Sequence, residues 1–349
     1  MTLPNKPRGT QDIYPPRSLI YQKIQQIVTQ ILHKNNYQPI IFPTFEAKEL
    51  FTSSLGSTTD IIHKEMYTFA DYTSVDIEDK KGRQLALRPE GTASTVRLVC
   101  QNKLIETSCF KLYYWANMFR YERPQKGRYR EFWQLGVELV NAKGVVADYQ
   151  ILKLVADILY GLGIRDFTFN LNYLGDSKTK EKYKNELKNF VKKDNPDLCE
   201  DCQRRGKTNP LRILDCLLCR NRFHFPSYKN AWSEKDKNYI NELNQILDKF
   251  TLPYQPDYYL VRGLDYYTGL VFEVSPKGEK ALLGGGRYDN LYQEIGKRNF
   301  PAIGFALGIE RLIDYLETSQ PRSELLNFSS RVDVFFFAIT GKVYLDILT

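Results

Sequence analysis

Residues 109–141 read CFKLYYWANMFRYERPQKGRYREFWQLGVELVN. Two long runs of aromatic and branched apolar residues flank a polar tip that holds Pro124 and Gly127. That pattern predicts an antiparallel hairpin, and a hairpin this long needs a sheet around it and helices to cover it. The tip carries Arg120, Arg123, Lys126, Arg128 and Arg130, and the chain returns into a strand with Gln134 and Glu138. Such a tip is either a solvated basic turn or a clamp for a polyanion. Gln134 and Glu138 stand an even number of residues apart, so they share one face of their strand.

The rest of the chain supplies the surroundings. Ile20, Ile24, Ile27, Val28, Ile31 and Leu32 recur at helical spacing and predict a helix over Ser18 to Asn36. YQPIIFPTFE reads as a strand interrupted by Pro43, hence an edge or a bend. QLALRPEGTASTVRLVC reads as strand, turn and helix, the helix starting near Gly91 or Thr92. A helix is expected over Val145 to Tyr160, then a strand at FTFNLNYLG. From Ser177 to Asp248 the composition turns Lys- and Asn-rich and helical, as in an insertion. DYYLVRGLDYYTGLVFEVSP reads as two strands around a Gly-Leu-Asp turn, LGGGRYDN as a turn, and FPAIGFALGIERLIDYLE as a strand running into a helix. A polar linker then leads to VDVFFFAI, a buried-type strand. Strand runs with helices set between them predict an α+β fold with a mainly antiparallel sheet.

The chain has 349 residues, 13% of them aromatic, which excludes long disorder and allows two domains with cores of their own. A net charge of +8 suits an anionic partner such as nucleic acid, and suits a lysine-rich surface equally well. The opening MTLPNKPRGTQDIYPP lacks the apolar run of a signal peptide, and no stretch reaches the roughly 18 apolar residues of a membrane helix. We therefore expect a cytoplasmic protein with no membrane contact, its six cysteines reduced or bound to metal.

A P-loop is absent from the sequence, and so is a His-based metalloprotease motif. What stands out is arginine at element junctions: Arg120 before the hairpin tip, Arg262 beside a turn, Arg311 opening a helix. Three planar forks at three junctions could surround one triphosphate; each alone reads as a surface or salt-bridge arginine. Glu90 and Thr92, with Gln134 and Glu138, form a second set, suited to a cationic group or to cross-strand bonding within a polar sheet face. Cys199, Cys202, Cys216 and Cys219 follow C-x2-C-x13-C-x2-C, close to zinc-ribbon spacing.

Together these segments resemble the histidyl-tRNA synthetase family within the class II aminoacyl-tRNA synthetases. FRYERPQKGRYREF is similar to motif 2, GFALGIER to motif 3, and IIFPTFE to motif 1 with its dimer-interface proline at Pro43. LVRGLDYYTGLVFE and LGGGRYDNL resemble the two signatures of the histidine enzymes, and RGTQDIYP and LRPEGTAS also match. The resemblance runs over roughly residues 4 to 349. It implies a class II catalytic core: a mixed, mainly antiparallel sheet of six to seven strands flanked by helices, in a homodimer. It implies ligation of L-histidine to tRNA(His) through a histidyl-adenylate, with ATP and Mg2+. By the same resemblance Arg120 would grip the α-phosphate, Phe132 stack on adenine, Arg311 hold the γ-phosphate and Arg128 face the phosphates. Arg262 would stabilise charge building at the α-phosphate. Glu90, Thr92 and Gln134 would bind the α-amino group of histidine, Glu138 and Tyr267 its imidazole, and Gln125 the tRNA acceptor end. The implied division is a core over 1–174 and 251–318, a helical insertion over 175–250, a linker over 319–330, and over 331–349 the start of an anticodon-binding domain, incomplete in this chain. Zinc is not typical of the family's insertion, so zinc rests on the cysteine spacing alone. Two rivals remain: the regulatory subunit of ATP phosphoribosyltransferase, which shares the core, and an RNA-binding module without activity. The first has no need of three phosphate arginines, and the second needs the basic tip but not RGLDYYTG or GGGRYDN.

Overall fold

The computed structural model describes residues 4–56, 59, 61–72, 82–104, 108–125, 127–194 and 197–321. The linker beyond 321 and the VDVFFFAI strand lie outside the described residues, as does Lys126. The first half of the chain supplies helices α1 (Arg17–Lys34), α2 (Lys48–Ser54), α3 (Thr92–Gln101) and α4 (Gly144–Gly161). Residues 175–250 supply α5 (Ser177–Asp194), α6 (Glu200–Thr208), α7 (Leu217–Arg222) and α8 (Glu234–Lys249). Helices α9 (Leu291–Gly296) and α10 (Ile309–Ser319) follow. The strands are β1 (Gln38–Pro39), β2 (Phe45–Ala47), β3 (Thr68–Asp71), β4 (Arg83–Leu87), β5 (Phe110–Phe119), β6 (Glu131–Val140), β7 (Phe167–Tyr173), β8 (Tyr254–Pro256), β9 (Thr268–Pro276), β10 (Leu283–Arg287) and β11 (Ala302–Gly308).

One sheet runs β1-β5-β6-β11-β10-β9-β7-β8. Its six inner strands pair antiparallel, and a short parallel strand closes each edge. The sheet thus has eight strands where six to seven were expected. The edge segments pair over two and three residues, too few to show a period in sequence. YQPIIFPTFE does break at Pro43: its first part is β1, and its second joins a separate sheet, β2-β4-β3. The hairpin of β5 and β6 is in register from Phe110–Val140 to Phe119–Glu131.

Alternation along β6 decides where everything else goes. Leu135, Val137 and Leu139 face the main core, built with Ile24 and Val28 of α1, Ile151 and Val155 of α4, Leu243 and Leu247 of α8, and Leu312 of α10. Each such side chain, fully buried, contributes about 1.5–3 kcal/mol. Helices therefore cover one face of the central strands, and Gln134 and Glu138 are left on the other.

Two expectations are corrected. DYYLVR is not a strand: residues 257–267 are turns and irregular chain. Since β8 lies outside β7 and β9 inside it, the segment has to step across β7, which a hairpin cannot do. LGGGRYDN is not a turn either, because its glycines form the buried central strand β10. The neighbouring strand β11 lies so close that a Cβ at Gly285 would fall 2.2 Å from the Gly304 carbonyl.

Candidate active site

Glu138 of β6 sits opposite Gly304 of β11 in the sheet register. A Cβ at Gly304 would fall 2.0 Å from the Glu138 carboxylate, so glycine is what admits the acid. Glu138 is only 1% exposed. One of its oxygens accepts the Thr92 hydroxyl at 3.0 Å, and the other accepts the Tyr288 hydroxyl. Burial pushes its pKa up to about 8, against the pull of those two hydroxyls. Glu90 stands at the start of α3, where its oxygens accept the backbone N–H groups of Thr92 and Ala93, both at 2.8 Å. It thereby caps the helix, a use of the carboxylate that the sequence reading did not include. Burial raises its pKa, opposed by the same two N–H groups. Glu90, Thr92, Gln134, Glu138 and Tyr267 all line a pocket of about 60 Å³, walled by Tyr114, Tyr266 and Tyr288. Such a pocket suits a small flat ligand that brings hydrogen-bond donors.

The pocket meets a wider cleft of about 350 Å³. Arg120, Gln134 and Arg262 line both cavities, so the two are continuous. Arg120 donates from Nε to the Pro89 carbonyl at 2.8 Å and lies over the Phe132 ring, 5.3 Å from its centre. Arg262 donates to Glu273 of β9. A Cβ at Gly284 would come within 2.4 Å of the Arg262 guanidinium, so the glycine of β10 makes its berth. Arg311 donates to the carbonyls of Ala281 at 3.0 Å and Gly127 at 3.3 Å. Burial lowers its pKa, and the charge of Arg128 lowers it further. Arg120 and Arg128 each stand 3.8 Å from a Glu122 oxygen, at the outer limit of ion pairing. Arg120 and Arg311 are held by carbonyls and Arg128 only by a distant acid, so these three keep positive field in the cleft while Arg262 is paired with Glu273; such a field suits a polyphosphate.

Every residue assigned to ATP or histidine therefore lines one of the two cavities. Gln125 does not. It is exposed on the hairpin tip, its backbone bridged to Arg128. The four cysteines lie at the starts of α6 and α7, their sulfurs within 4.8 Å of one another, apart from both cavity linings. Several lining groups were missed. Tyr288 and Glu273 lie within the quoted signatures and were legible there. Glu310 accepts the Trp133 N–H with both oxygens, at 2.9 and 3.0 Å, and burial pushes its pKa up to about 7. Arg212 reaches the cleft from the insertion, with no sequence signal to announce it.

Comparison with known proteins agrees with this arrangement. The sequence pattern of the family described as histidyl-tRNA synthetase matches residues 9–312. Histidine–tRNA ligase of Mycoplasma mycoides is 40% identical over 341 residues, spanning 96% of this chain and 80% of the relative. That of Aquifex aeolicus is 42% identical over 323 residues, spanning 91% and 78%. The crystal structure of apo histidyl-tRNA synthetase from S. aureus superposes with a TM-score of 0.70 at 34% identity, covering 90% of this chain and 74% of that one. Sequence pattern, relatives and fold agree, and the chain belongs to the histidyl-tRNA synthetase family.

Proposed function

We propose that this chain ligates L-histidine to tRNA(His) in two steps. In the first, a carboxylate oxygen of histidine attacks the α-phosphorus of ATP. An oxygen–phosphorus bond forms, the α–β anhydride bond breaks, and pyrophosphate leaves with the electron pair. In the second, a hydroxyl of the terminal ribose of the tRNA attacks the histidyl carbonyl and AMP leaves. One observation carries this reading: Arg120 and Arg262 line both the carboxylate pocket and the arginine cleft, at the junction where an amino acid would meet a nucleotide.

Roles follow from position. Arg120 grips the α-phosphate and Phe132 stacks on adenine, while Arg311 holds the γ-phosphate and Arg128 adds charge at the mouth. Arg262 is a preorganised electrostatic stabiliser of the charge that builds at the α-phosphate during attack. Glu90, Thr92 and Gln134 receive the α-amino group. Glu90 can do so while capping α3, because a carboxylate has about four lone-pair sites and the cap occupies two. Glu138 and Tyr267 read the imidazole. Among the described residues no cluster of three His, Cys or carboxylate ligands other than the four cysteines is close enough to hold a metal. Mg2+ therefore fits as an ion carried by the triphosphate, with Glu122 or Glu273 offering a carboxylate. When bound, it neutralises phosphate charge.

The rival reading, a regulatory subunit of ATP phosphoribosyltransferase, is the weaker one. The relatives at 40–42% identity carry the ligase name, and the phosphate arginines are all in the cleft. A homodimer is supported by Ile41, Phe45, Phe69 and Tyr72, large apolar side chains left exposed beside Pro43 and on the small sheet. Residues 175–250 are an insertion in a core of 1–174 and 251–318, since β7 before it pairs with β8 and β9 after it. Gln125, exposed on the tip, meets the tRNA acceptor end. Among the described residues no helix is long and apolar enough to cross a membrane, and we place the protein in the cytoplasm.

The test is ATP–pyrophosphate exchange with the full chain. Exchange that depends on histidine, and on no other amino acid, is the expected result; its absence from folded protein would remove the reading. For the tip, Gln125→Ala should lower charging of tRNA(His) and leave exchange intact.

A further inference from the structure

We propose that Cys199, Cys202, Cys216 and Cys219 hold one Zn2+ ion, and that this ion braces the loop which grips the Arg262 turn. The first half stands on the insertion alone. The second rests on the synthetase reading.

The sulfurs are already placed for tetrahedral coordination. Cys199 Sγ lies 3.8 Å from Cys216 Sγ and 3.6 Å from Cys219 Sγ. A tetrahedral zinc with Zn–S bonds of about 2.3 Å sets its sulfurs about 3.8 Å apart. A disulfide would bring two of them to about 2.05 Å, and all four thiols are free. Each pair is carried the same way: Cys199 and Cys216 stand just before α6 and α7, and Cys202 and Cys219 lie three residues on. That spacing puts both sulfurs of a pair on one side of the helix start. Four thiols converging in a partly buried site can bind a soft cation as thiolates, and a closed tetrahedral sulfur set is the arrangement of structural zinc.

The loop that the ion would close does further work. Between the two pairs run residues 203–215, and their middle touches the Arg262 turn. Asn209 donates to both carboxylate oxygens of Asp265, at 3.1 and 3.0 Å. Arg212 donates to the Gly263 carbonyl, lies 3.4 Å from Asp265 and 3.2 Å from Asp215, and lines the arginine cleft. Gly263 and Asp265 follow Arg262 directly, within one short turn. A metal joining the start of the loop to its end holds Asn209 and Arg212 against that turn. Zinc thus sits outside the reaction and acts on it by positioning.

The experiment starts from the full chain, kept reduced and purified without a metal-affinity step. Elemental analysis should find about one zinc per chain, released when a mercurial titrates the thiols. Metal-free folded protein, or iron in place of zinc, would overturn the assignment. Cys202 and Cys219 are buried, so substitutions there invite misfolding; Cys199→Ser and Cys216→Ser fall at partly exposed positions and serve better. Each should lower zinc content at least tenfold with helix content retained, and full retention of zinc would count against the site. Stripping zinc from the wild type should slow exchange at least fivefold with circular dichroism unchanged, and Arg212→Ala should do the same with zinc still bound. Full exchange in stripped protein would remove the brace and leave the metal site. Because zinc content is read without turnover, a chain with zinc and no exchange would count against the synthetase reading alone.

Discussion

The carboxylate pocket and the arginine cleft adjoin, yet they are built on opposite principles. In the pocket the carboxylates are held by neighbouring donors: Glu138 by Thr92 and Tyr288, Glu90 by the start of α3. The walls are aromatic, and the carboxylates are held in a dry site that raises their pKa values. In the cleft Arg120 and Arg311 lean on backbone carbonyls, which orient a guanidinium without cancelling its charge. The pocket therefore discriminates by fit and proton position, whereas the cleft works by field. Losses in the pocket should appear in the KM for histidine, and losses at the junction in kcat.

The largest effect is expected where the two regions meet. Arg262→Ala should lower the rate of exchange by about 100- to 1,000-fold, the size of losing one preorganised donor to a developing charge. Arg262→Lys should not restore it, since an ammonium cannot reproduce the fork that also engages Glu273. A loss under tenfold, with circular dichroism unchanged, would move the junction elsewhere. Gly284→Ala approaches the same group from behind. The added methyl would lie 2.4 Å from the Arg262 guanidinium and must displace it. Misplacement of a catalytic group by about 1 Å costs up to about 100-fold, so kcat should fall by that order with the KM for histidine nearly constant.

The next effect belongs to the pocket. Glu138→Gln preserves volume and removes the charge, and should raise the KM for histidine about 10- to 100-fold, the range for losing a charged hydrogen bond. It should also change the pH dependence. The folded pKa of about 8 lies above the ordinary carboxylate value, so the native chain keeps a proton that the unfolded chain releases near pH 4.5. This contribution to stability is complete below that pH and is lost as pH rises through 8. The wild type should therefore lose Tm between pH 5 and 8.5, and Glu138→Gln should lose less of it. Imidazole N–H bonds favour the ionised acid, so histidine binding below pH 8 should release a proton, measurable by titration calorimetry in two buffers. An unchanged proton count in the variant would contradict this.

How much of this could be read beforehand depends on where the signal is stored. The hairpin and the shared face of Gln134 and Glu138 were legible because a two-residue period is local. The arginines at element junctions were legible because the strand and helix patterns that place them there are local, although the carbonyls that hold Arg120 and Arg311 are 30 or more residues away. β10 was not, because three glycines carry no side-chain period and its pairing is set by β9 and β11. Residues 257–267 misled for the opposite reason. Leu260 and Val261 are buried, as in a strand, but they pack into a hydrophobic cluster separate from the main core, with residues such as Leu211 and Tyr228, rather than in a ladder. Arg212 approaches its partners from 51 and 53 residues away, with only tertiary structure to bring it there.

The smallest effect should come from the rim of the cleft. The Arg128 side chain is 57% exposed and reaches Glu122 only at 3.8 Å. Exposed charge interactions of this kind contribute about 0.2–1 kcal/mol, so Arg128→Ala should raise the KM for ATP by no more than about fivefold. Two consequences oppose each other. Removing Arg128 withdraws positive field from the triphosphate, and it also relieves the like charge that holds down the pKa of Arg311. The net loss should thus be smaller than for Arg311→Ala, which removes a cation anchored on two carbonyls with no compensation. Salt separates the two: the KM for ATP should rise with ionic strength less steeply in Arg128→Ala than in the wild type, because the lost charge was the screened one. Equal losses in Arg128→Ala and Arg311→Ala, with equal salt slopes, would mean that loosely held and carbonyl-anchored arginines contribute alike and that anchoring in the cleft does not grade its cations.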